Sequence, residues 1–165
     1  MKKIYFPMMV AMIIVTSGLS KAKAATYEPA KAKAEVMKTV EEINAAMKAG
    51  DAKTVISYYA EDGLFCGTDP TEFWDKAAFA KQITEMLADK TKPMNMTMDK
   101  REIRVAKDGM SAIVVGQFTT DWSKPIMVRN TRHFVKVNGK WMVDFMSVAL
   151  IPKNDDLPKI TAAVK

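Results

Sequence analysis

The sequence contains a single cysteine, Cys66, and a single histidine, His133. One thiol cannot form an internal disulfide, so packing must stabilise the fold. Cys66 follows the apolar residues Leu64 and Phe65, which predicts a buried and inert thiol. A catalytic thiolate needs a neighbouring base, and the only histidine lies far along the chain. Cysteine catalysis is therefore disfavoured.

Long apolar runs are also scarce, and the one near the N-terminus is short. Residues 8–15 are unbrokenly apolar, whereas a spanning helix needs about 20 such residues. Lys2 and Lys3 precede this run, and the small-x-small sequence at 22–24 follows it, as is typical of a signal peptide. We therefore predict that residues 1–24 are a signal peptide, that the protein is exported (periplasmic or secreted), and that the processed chain is not attached to a membrane.

The excess of positive charge is concentrated in this predicted leader. The whole chain has 25 basic and 19 acidic residues, a formal charge of +6. Removing residues 1–24 removes four lysines and no acidic residue, so the charge falls to +2. Downstream there is no basic stripe with interleaved aromatic residues, and the sequence predicts no binding of nucleic acid.

Helical signals dominate the first half of the mature chain. Apolar residues recur at spacings of three and four in residues 30–49, and Gly50 is placed to end that helix in a left-handed cap. Asp51 can cap a short second helix that reaches Tyr59. A third helix is predicted over residues 75–88.

Strand signals dominate the second half. After a short strand at 64–66, alternating or β-branched apolar residues predict four strands, at 94–105, 110–122, 126–137 and 140–150. Helices followed by a meander indicate the α+β class, with a curved antiparallel sheet packed on N-terminal helices.

The pair Asn138-Gly139 predicts a two-residue type I′ turn, which fixes the register of the last hairpin. Opposed positions then alternate between two faces of the sheet. One face carries Phe134 opposite Val143, Arg132 opposite Phe145, and Asn130 opposite Ser147. The other face carries His133 opposite Asp144 and Thr131 opposite Met146.

Both faces of this hairpin are half apolar, and residues 112–115 of the neighbouring strand are apolar on both sides. A sheet with one solvated face alternates more cleanly. We therefore expect a cover on the second face, and predict a homodimer formed through the sheet.

The stretch YAEDGLFCGTDP at residues 59–70, followed by Glu72 and Trp74, resembles the SnoaL-like branch of the nuclear transport factor 2-like (NTF2-like) superfamily, the DUF4440-type domains. Residues 139–143 resemble the last strands of the same family. The resemblance implies a cone-like NTF2-like domain at residues 36–151, preceded by a linker and helix start at 25–35 and followed by a C-terminal tail at 152–165. It also implies a hydrophobic pocket between sheet and helices, but no particular reaction.

On the family pattern, the face that carries Phe134 points into the cone. The predicted pocket therefore has polar groups in an apolar lining. Arg132 is the most informative of them, because a guanidinium could bind a carboxylate ligand; alternatively, its head lies in water at the rim. The predicted lining is Tyr58, Phe65, Trp74, Asn130, Arg132, Phe134, Phe145 and Ser147.

Three further residues are candidates for acid–base chemistry. Asp69 precedes Pro70, and an Asp-Pro pair carries the proton transfer in the related steroid isomerases, although here it lies two residues beyond the expected position. Asp69 can instead organise a turn. His133 and Asp144 can form a dyad, but parity puts them on the outer face, where a structural pair is the alternative.

Met94, Met96 and Met98 alternate along one strand, so their thioethers share one side. Thioethers suit Cu(I), yet methionine is also a common filler of gaps. We predict no metal and no cofactor, and keep these three residues as weak copper candidates.

The sequence leaves three functions open. The first is an exported protein that binds a small apolar or carboxylated ligand and has no assigned reaction. The second is a lyase or isomerase that uses a pocket carboxylate. The third is a structural homodimer whose cavity is filled by its own side chains.

Overall fold

The structure is a computed structural model that describes residues 28–89, 96–121 and 125–164. The predicted signal peptide and Met94 lie outside the described residues. Within them, no helix is long and apolar enough to cross a membrane. The helices are α1 (Pro29–Ala49), α2 (Ala52–Ile56), α3 (Lys76–Ala88) and α4 (Leu157–Ala163); the strands are β1 (Tyr59–Cys66), β2 (Phe73–Trp74), β3 (Met96–Val105), β4 (Ser111–Asp121), β5 (Pro125–Val137) and β6 (Lys140–Leu150).

The predicted helix boundaries are set by capping residues. Gly50 has a φ of 74° and ends α1 in the left-handed conformation, as expected for glycine there. The Asp51 side chain accepts a hydrogen bond from the Thr54 amide at 3.0 Å and starts α2. Asp75 caps α3 in the same way. The predicted extension of the second helix to Tyr59 is wrong, because Tyr59 is the first residue of β1.

The six strands form one sheet in the order β2-β1-β6-β5-β4-β3. The predicted α+β class, with N-terminal helices on a curved sheet, is confirmed. The sheet is mixed rather than wholly antiparallel, because β1 pairs in parallel with β6. Hairpin signals fix the direction of consecutive strands only, and β1 and β6 are far apart in the chain.

The predicted turn between β5 and β6 is confirmed. Asn138 and Gly139 have φ values of 50° and 80°, and Val137 pairs with Lys140 across them. Asn138 is the only non-glycine residue with positive φ among those described. Both positions therefore adopt the conformation that a type I′ turn requires.

The register changes a few residues beyond the turn, between His133 and Phe134 on β5. On β6 this leaves Asp144 unpaired as a β-bulge, since Phe134 pairs with Val143 and His133 with Phe145. The predicted pairing is therefore correct up to Phe134 and wrong beyond it. The pairs beyond the bulge are Arg132 with Met146, Thr131 with Ser147, and Asn130 with Val148.

The bulge changes which residues of β6 beyond Asp144 face the helices. We call the side of the sheet that carries Phe134 and Val143 the inner face and the opposite side the outer face. A one-residue shift moves every later side chain to the other face. Phe145 and Ser147 consequently share the outer face with His133, a correction to the predicted lining.

Glu35 of α1 holds the helix to the sheet. Its carboxylate forms an ion pair with Lys136 of β5 and accepts a hydrogen bond from Trp141 Nε1 of β6 at 3.2 Å. The ammonium of Lys136 also lies 5.3 Å from the centroid of the Trp141 ring. The hydrogen bond from Lys136, followed by that from Trp141, lowers the pKa of Glu35 below its ordinary value.

We predict that Glu35→Gln makes stability less dependent on pH. A lowered folded-state pKa contributes stability above the unfolded pKa, and this contribution is lost as the pH falls through the folded pKa. The wild type should therefore be more stable than Glu35→Gln at pH 7, and the difference should vanish in strong acid. Urea unfolding between neutral and strongly acidic pH measures this. Glu41→Gln, an exposed site on α1, is the control, and an equal pH-dependent loss in both variants would contradict the assignment.

Candidate functional site

A cavity of about 920 Å³ lies between α1, α3 and the inner face of the sheet. Its walls are mainly apolar and aromatic, which is typical of sites for small molecules. The main apolar contributors are Ile43 of α1, Phe79 and Met86 of α3, and Tyr59, Trp74 and Val128 of the sheet.

Arg132 and Asn130 lie on the inner face of β5 and line this cavity. Arg132 Nε donates to Asn130 Oδ1 at 3.1 Å. Arg132 Nη1 is buried and has no hydrogen-bond partner among the described residues. The guanidinium therefore points inward with a donor unused, rather than lying along Phe145, which faces the other way.

Tyr59 lines the cavity beside Arg132. Its side chain is 3% exposed, and its hydroxyl donates to Met146 Sδ at 3.6 Å. Burial raises the pKa of Tyr59, and the positive charge of Arg132 acts in the opposite direction. Tyr59 is thus a neutral phenol at physiological pH, and its single hydroxyl proton is donated to Met146.

The structure brings together three of the eight predicted lining residues, namely Trp74, Asn130 and Arg132. Phe65 and Phe134 are fully buried in the core behind them. Tyr58 donates to Glu42 at 2.8 Å and its ring lies under Lys140, outside the cavity. Phe145 and Ser147 lie on the outer face, and Met146 and Val148 line the cavity in their place.

Asp69 lies in the exposed loop between β1 and β2. Its carboxylate accepts hydrogen bonds from the amide and the hydroxyl of Thr71, at 2.8 and 2.6 Å, and these bonds lower its pKa. It is absent from the cavity wall, whereas Glu72, three residues later, is part of it. Asp69 has the geometry of the turn alternative.

His133 and Asp144 contact each other on the outer face. His133 Nδ1 lies 2.7 Å from Asp144 Oδ1, and both side chains are about one-third exposed. They do not pair directly across the strands, because Asp144 is the bulged residue. The contact is therefore present, and it lies on the side of the sheet away from the cavity.

Met96 and Met98 line the mouth of the cavity and are 42% and 45% exposed. Met94 lies outside the described residues, so the three-residue alternation stays a prediction. Within the described residues, no group of histidine, cysteine and carboxylate side chains could hold a metal ion. Cys66 is half-buried rather than buried.

Among the polar residues of the cavity that sequence reasoning missed are Arg101, Thr120 and Glu72. Thr120 is 1% exposed, and its hydroxyl has no hydrogen-bond partner in the part of the chain that is described. On β3 a second bulge falls between Met98 and Lys100, so alternation alone could not place Arg101. Arg101 lies within the charged run at residues 99–102, which offers no signal that one of its members faces the cavity.

Residues 36–147 match the profile of the SnoaL-like domain. The chain belongs to the SnoaL-like domain family. This confirms the resemblance seen in residues 59–70 and 139–143. None of the curated proteins matches the chain.

Solved structures related to this SnoaL-like protein share its fold at low identity. An NTF2-like protein of unknown function from Pseudomonas putida is 18% identical, with a TM-score of 0.67 over 76% of this chain and 91% of that one. An uncharacterised protein with a cystatin-like fold from Caulobacter vibrioides is 13% identical, with a TM-score of 0.67 over 81% and 98%. A proposed dehydratase of the NTF2-like family from Streptomyces avermitilis is 15% identical, with a TM-score of 0.61 over 76% and 100%. Identities this low establish the fold alone.

We predict that Thr120→Val stabilises the unliganded protein. The substitution removes a buried hydroxyl that lacks a partner while keeping the shape of the side chain, so the free energy of unfolding should rise by roughly 1 kcal/mol. Urea unfolding followed by circular dichroism measures it. Thr119→Val is the matched control on the same strand, because the Thr119 hydroxyl donates to Asp99 at 3.1 Å and should give no gain. A loss of stability in Thr120→Val would show that the hydroxyl has a partner.

Proposed function

We propose that this protein is an exported binding protein that holds a small, mainly apolar molecule in the cavity between helices and sheet. The observation that carries the proposal is the cavity itself, about 920 Å³ in volume, with polar groups set in a mainly apolar wall. Pockets for small ligands typically measure about 300–1,000 Å³ and have this composition.

The polar groups of the cavity support binding in a fixed orientation. Buried polar atoms are normally hydrogen-bonded, and one left without a partner costs stability. Here Arg132 Nη1 and Thr120 Oγ1 are both buried without partners among the residues described. A ligand that bonds to them would recover that cost on binding.

The proposed export depends on the N-terminal sequence. A basic start, a short apolar run and the small residues at 22–24 together support cleavage after Ala24. N-terminal sequencing of the protein from its own host tests this. Native mass spectrometry of the same material, before and after denaturation, tests for a bound small molecule.

A lyase or isomerase is the second candidate. It is favoured by one observation, namely that the Glu72 carboxylate lines the cavity. The same carboxylate accepts a hydrogen bond from the Asp69 amide at 2.9 Å, which ties it to the loop. An enzyme of this type would lose turnover but keep ligand binding in Glu72→Gln, whereas a pure binding protein has no turnover to lose.

We predict that Met86→Trp blocks the cavity. Met86 is half-buried on α3 and lines the cavity, so a larger ring there should fill part of the volume. The neutral probe N-phenyl-1-naphthylamine should become fluorescent on binding to the wild type and bind about tenfold more weakly to the variant. Glu85→Trp adds the same ring on the exposed side of α3 and should leave the affinity unchanged. Equal affinity in all three proteins would show that the probe binds elsewhere.

We also propose a homodimer in which the outer faces of two copies pack together. Ile113 and Val137 on this face are 47% and 48% exposed, and the half-buried Val115, Val135 and Phe145 lie between and beside them. Strands β3–β6 are 10 to 13 residues long, so their outer face covers roughly 700 Å². A standard interface buries about 800 Å² on each partner. The outer face of each copy is therefore nearly large enough for such an interface.

We predict that Ile113→Arg prevents this association. Arg104 pairs with Ile113 on the neighbouring strand, so a second guanidinium would be desolvated in the interface beside a like charge, which opposes dimer formation. Sedimentation velocity at micromolar concentration should show a dimer for the wild type and a monomer for the variant. Leu157→Arg changes an equally exposed leucine on α4 (47%) and should remain dimeric. A wild-type monomer at this concentration would refute the interface.

A further inference from the structure

A row of three residues crosses the inner face of the sheet and leaves a gap at its centre. Arg101 of β3 pairs with Gly116 of β4, and Gly116 pairs with Asn130 of β5. Residues that pair directly across strands project from the same face. Because Gly116 has no side chain, the space between Arg101 and Asn130 is open.

Packing does not explain the glycine. A Cβ added at Gly116 would meet only the end of the Met98 side chain, at 3.8 and 3.9 Å, which is ordinary van der Waals contact. Its φ is not positive either. The gap is therefore free to be occupied by something other than the chain itself.

The gap forms a small recess of about 20 Å³ beside the main cavity. Arg101, Arg132, Asn130 and Asn44 line both the recess and the cavity. A space of this size accommodates about one water-sized group. It is large enough for a carboxylate oxygen.

Both arginines that reach the recess lack a counter-charge among the described residues. Arg101 Nη1 contacts Met37 Sδ at 3.0 Å, and a thioether is a weak acceptor. Arg132 bonds to the amide oxygen of Asn130, and its Nη1 has no partner. Burying part of two guanidinium groups without a carboxylate partner lowers the free energy of unfolding. An anion bound in the recess would offset this loss of stability.

The remaining groups of the recess are suited to an anion as well. Asn130 uses its carbonyl oxygen for Arg132 Nε, so its amide N–H groups are the ones left to bind a ligand. Among the described residues, the recess wall contains no carboxylate. The two acidic residues of the main cavity, Glu72 and Asp89, belong to the β1–β2 loop and to the end of α3, so the cavity is cationic on its sheet side.

We infer that the ligand is an organic carboxylate with an apolar body, and that its carboxylate binds in the recess between Arg101 and Arg132 with the amide of Asn130 as a third donor. The inference rests on the proposed binding function and adds to it the chemical class and the orientation of the ligand. The apolar body extends from the recess into the main cavity, toward Phe79, Met86 and Trp74 of its wall.

The test compares an acid with a neutral molecule of the same length, decanoic acid and 1-decanol, by displacement of the naphthylamine probe. The wild type should bind the acid at least about tenfold more tightly, because charge-assisted hydrogen bonds are stronger than neutral ones. Arg132→Gln and Arg101→Gln should each reduce binding of the acid about tenfold and leave binding of the alcohol unchanged. Arg104→Gln, an exposed site on β3, should change neither.

Gly116→Ala tests the recess without changing any charge. The added methyl group fits beside Met98, so the thermal unfolding midpoint should be unchanged or higher, while affinity for the acid falls and affinity for the alcohol is retained. If an arginine variant fails to fold, Gly116→Ala still tests whether the acid binds in the recess.

Three outcomes would overturn the inference. If the wild type binds acid and alcohol equally well, the carboxylate site is refuted and the proposed binding function stands. If the wild type binds neither the acid nor the alcohol, and does not bind the probe, the carboxylate site and the proposed binding function are both refuted. If the preference for the acid survives Arg132→Gln, Arg101→Gln and Gly116→Ala alike, the acid binds outside the recess.

Discussion

The bulge at Asp144 decides which side chains this protein presents to its cavity. Before Asp144, strand β6 directs Trp141 and Val143 inward against the helices, and after it the alternation is offset by one residue, so Met146 and Val148 face the cavity. Met146 accepts the hydrogen bond of Tyr59, and both contribute to the wall. The side chain of Asp144 itself lies on the outer face, where its carboxylate contacts His133. The cavity wall and the outer face, which is the proposed dimer interface, thus both depend on the unpaired residue Asp144.

The cavity exists because the helices contact the sheet closely at some places and not at others. Near the turn end of the last hairpin, Glu35 of α1 is held by Lys136 and Trp141. On the other side, rings from α3 and β1 pack closely, with the centroids of Phe79 and Tyr59 4.4 Å apart. Away from these two contacts, on β3, β4 and β5, the inner face carries Arg101, Gly116, Asn130 and Arg132. Residues of this kind do not fill space against a helix, and volume is left for a ligand.

Local signals in the sequence were sufficient for the parts of the fold that depend on neighbours in the chain. Gly50 and Asp51 act as caps where expected, Asp75 caps α3 at the predicted start of that helix, and Asn138-Gly139 forms the predicted turn. The parallel pairing of β1 with β6 and the bulges are properties of strand pairs, which no single segment encodes.

The same distinction explains which residues of the site could be placed from the sequence. Arg132 and Asn130 lie on the face of the sheet that the alternation of β5 predicts, whereas Phe145 and Ser147 lie on the opposite face because they follow the unpaired residue Asp144 on β6. Arg101 was missed because β3 has an irregularity of its own, between Met98 and Lys100.

The parallel pairing of β1 with β6 also has a consequence for how the chain folds. Tyr59 pairs with Val143, so the first long strand acquires its central neighbour only when the last one is present. Contacts of such wide separation form slowly, since a long loop must close first. During synthesis β1 and its apolar face therefore remain without this partner until β6 has emerged. A chain that cannot complete its sheet early stays unfolded for longer.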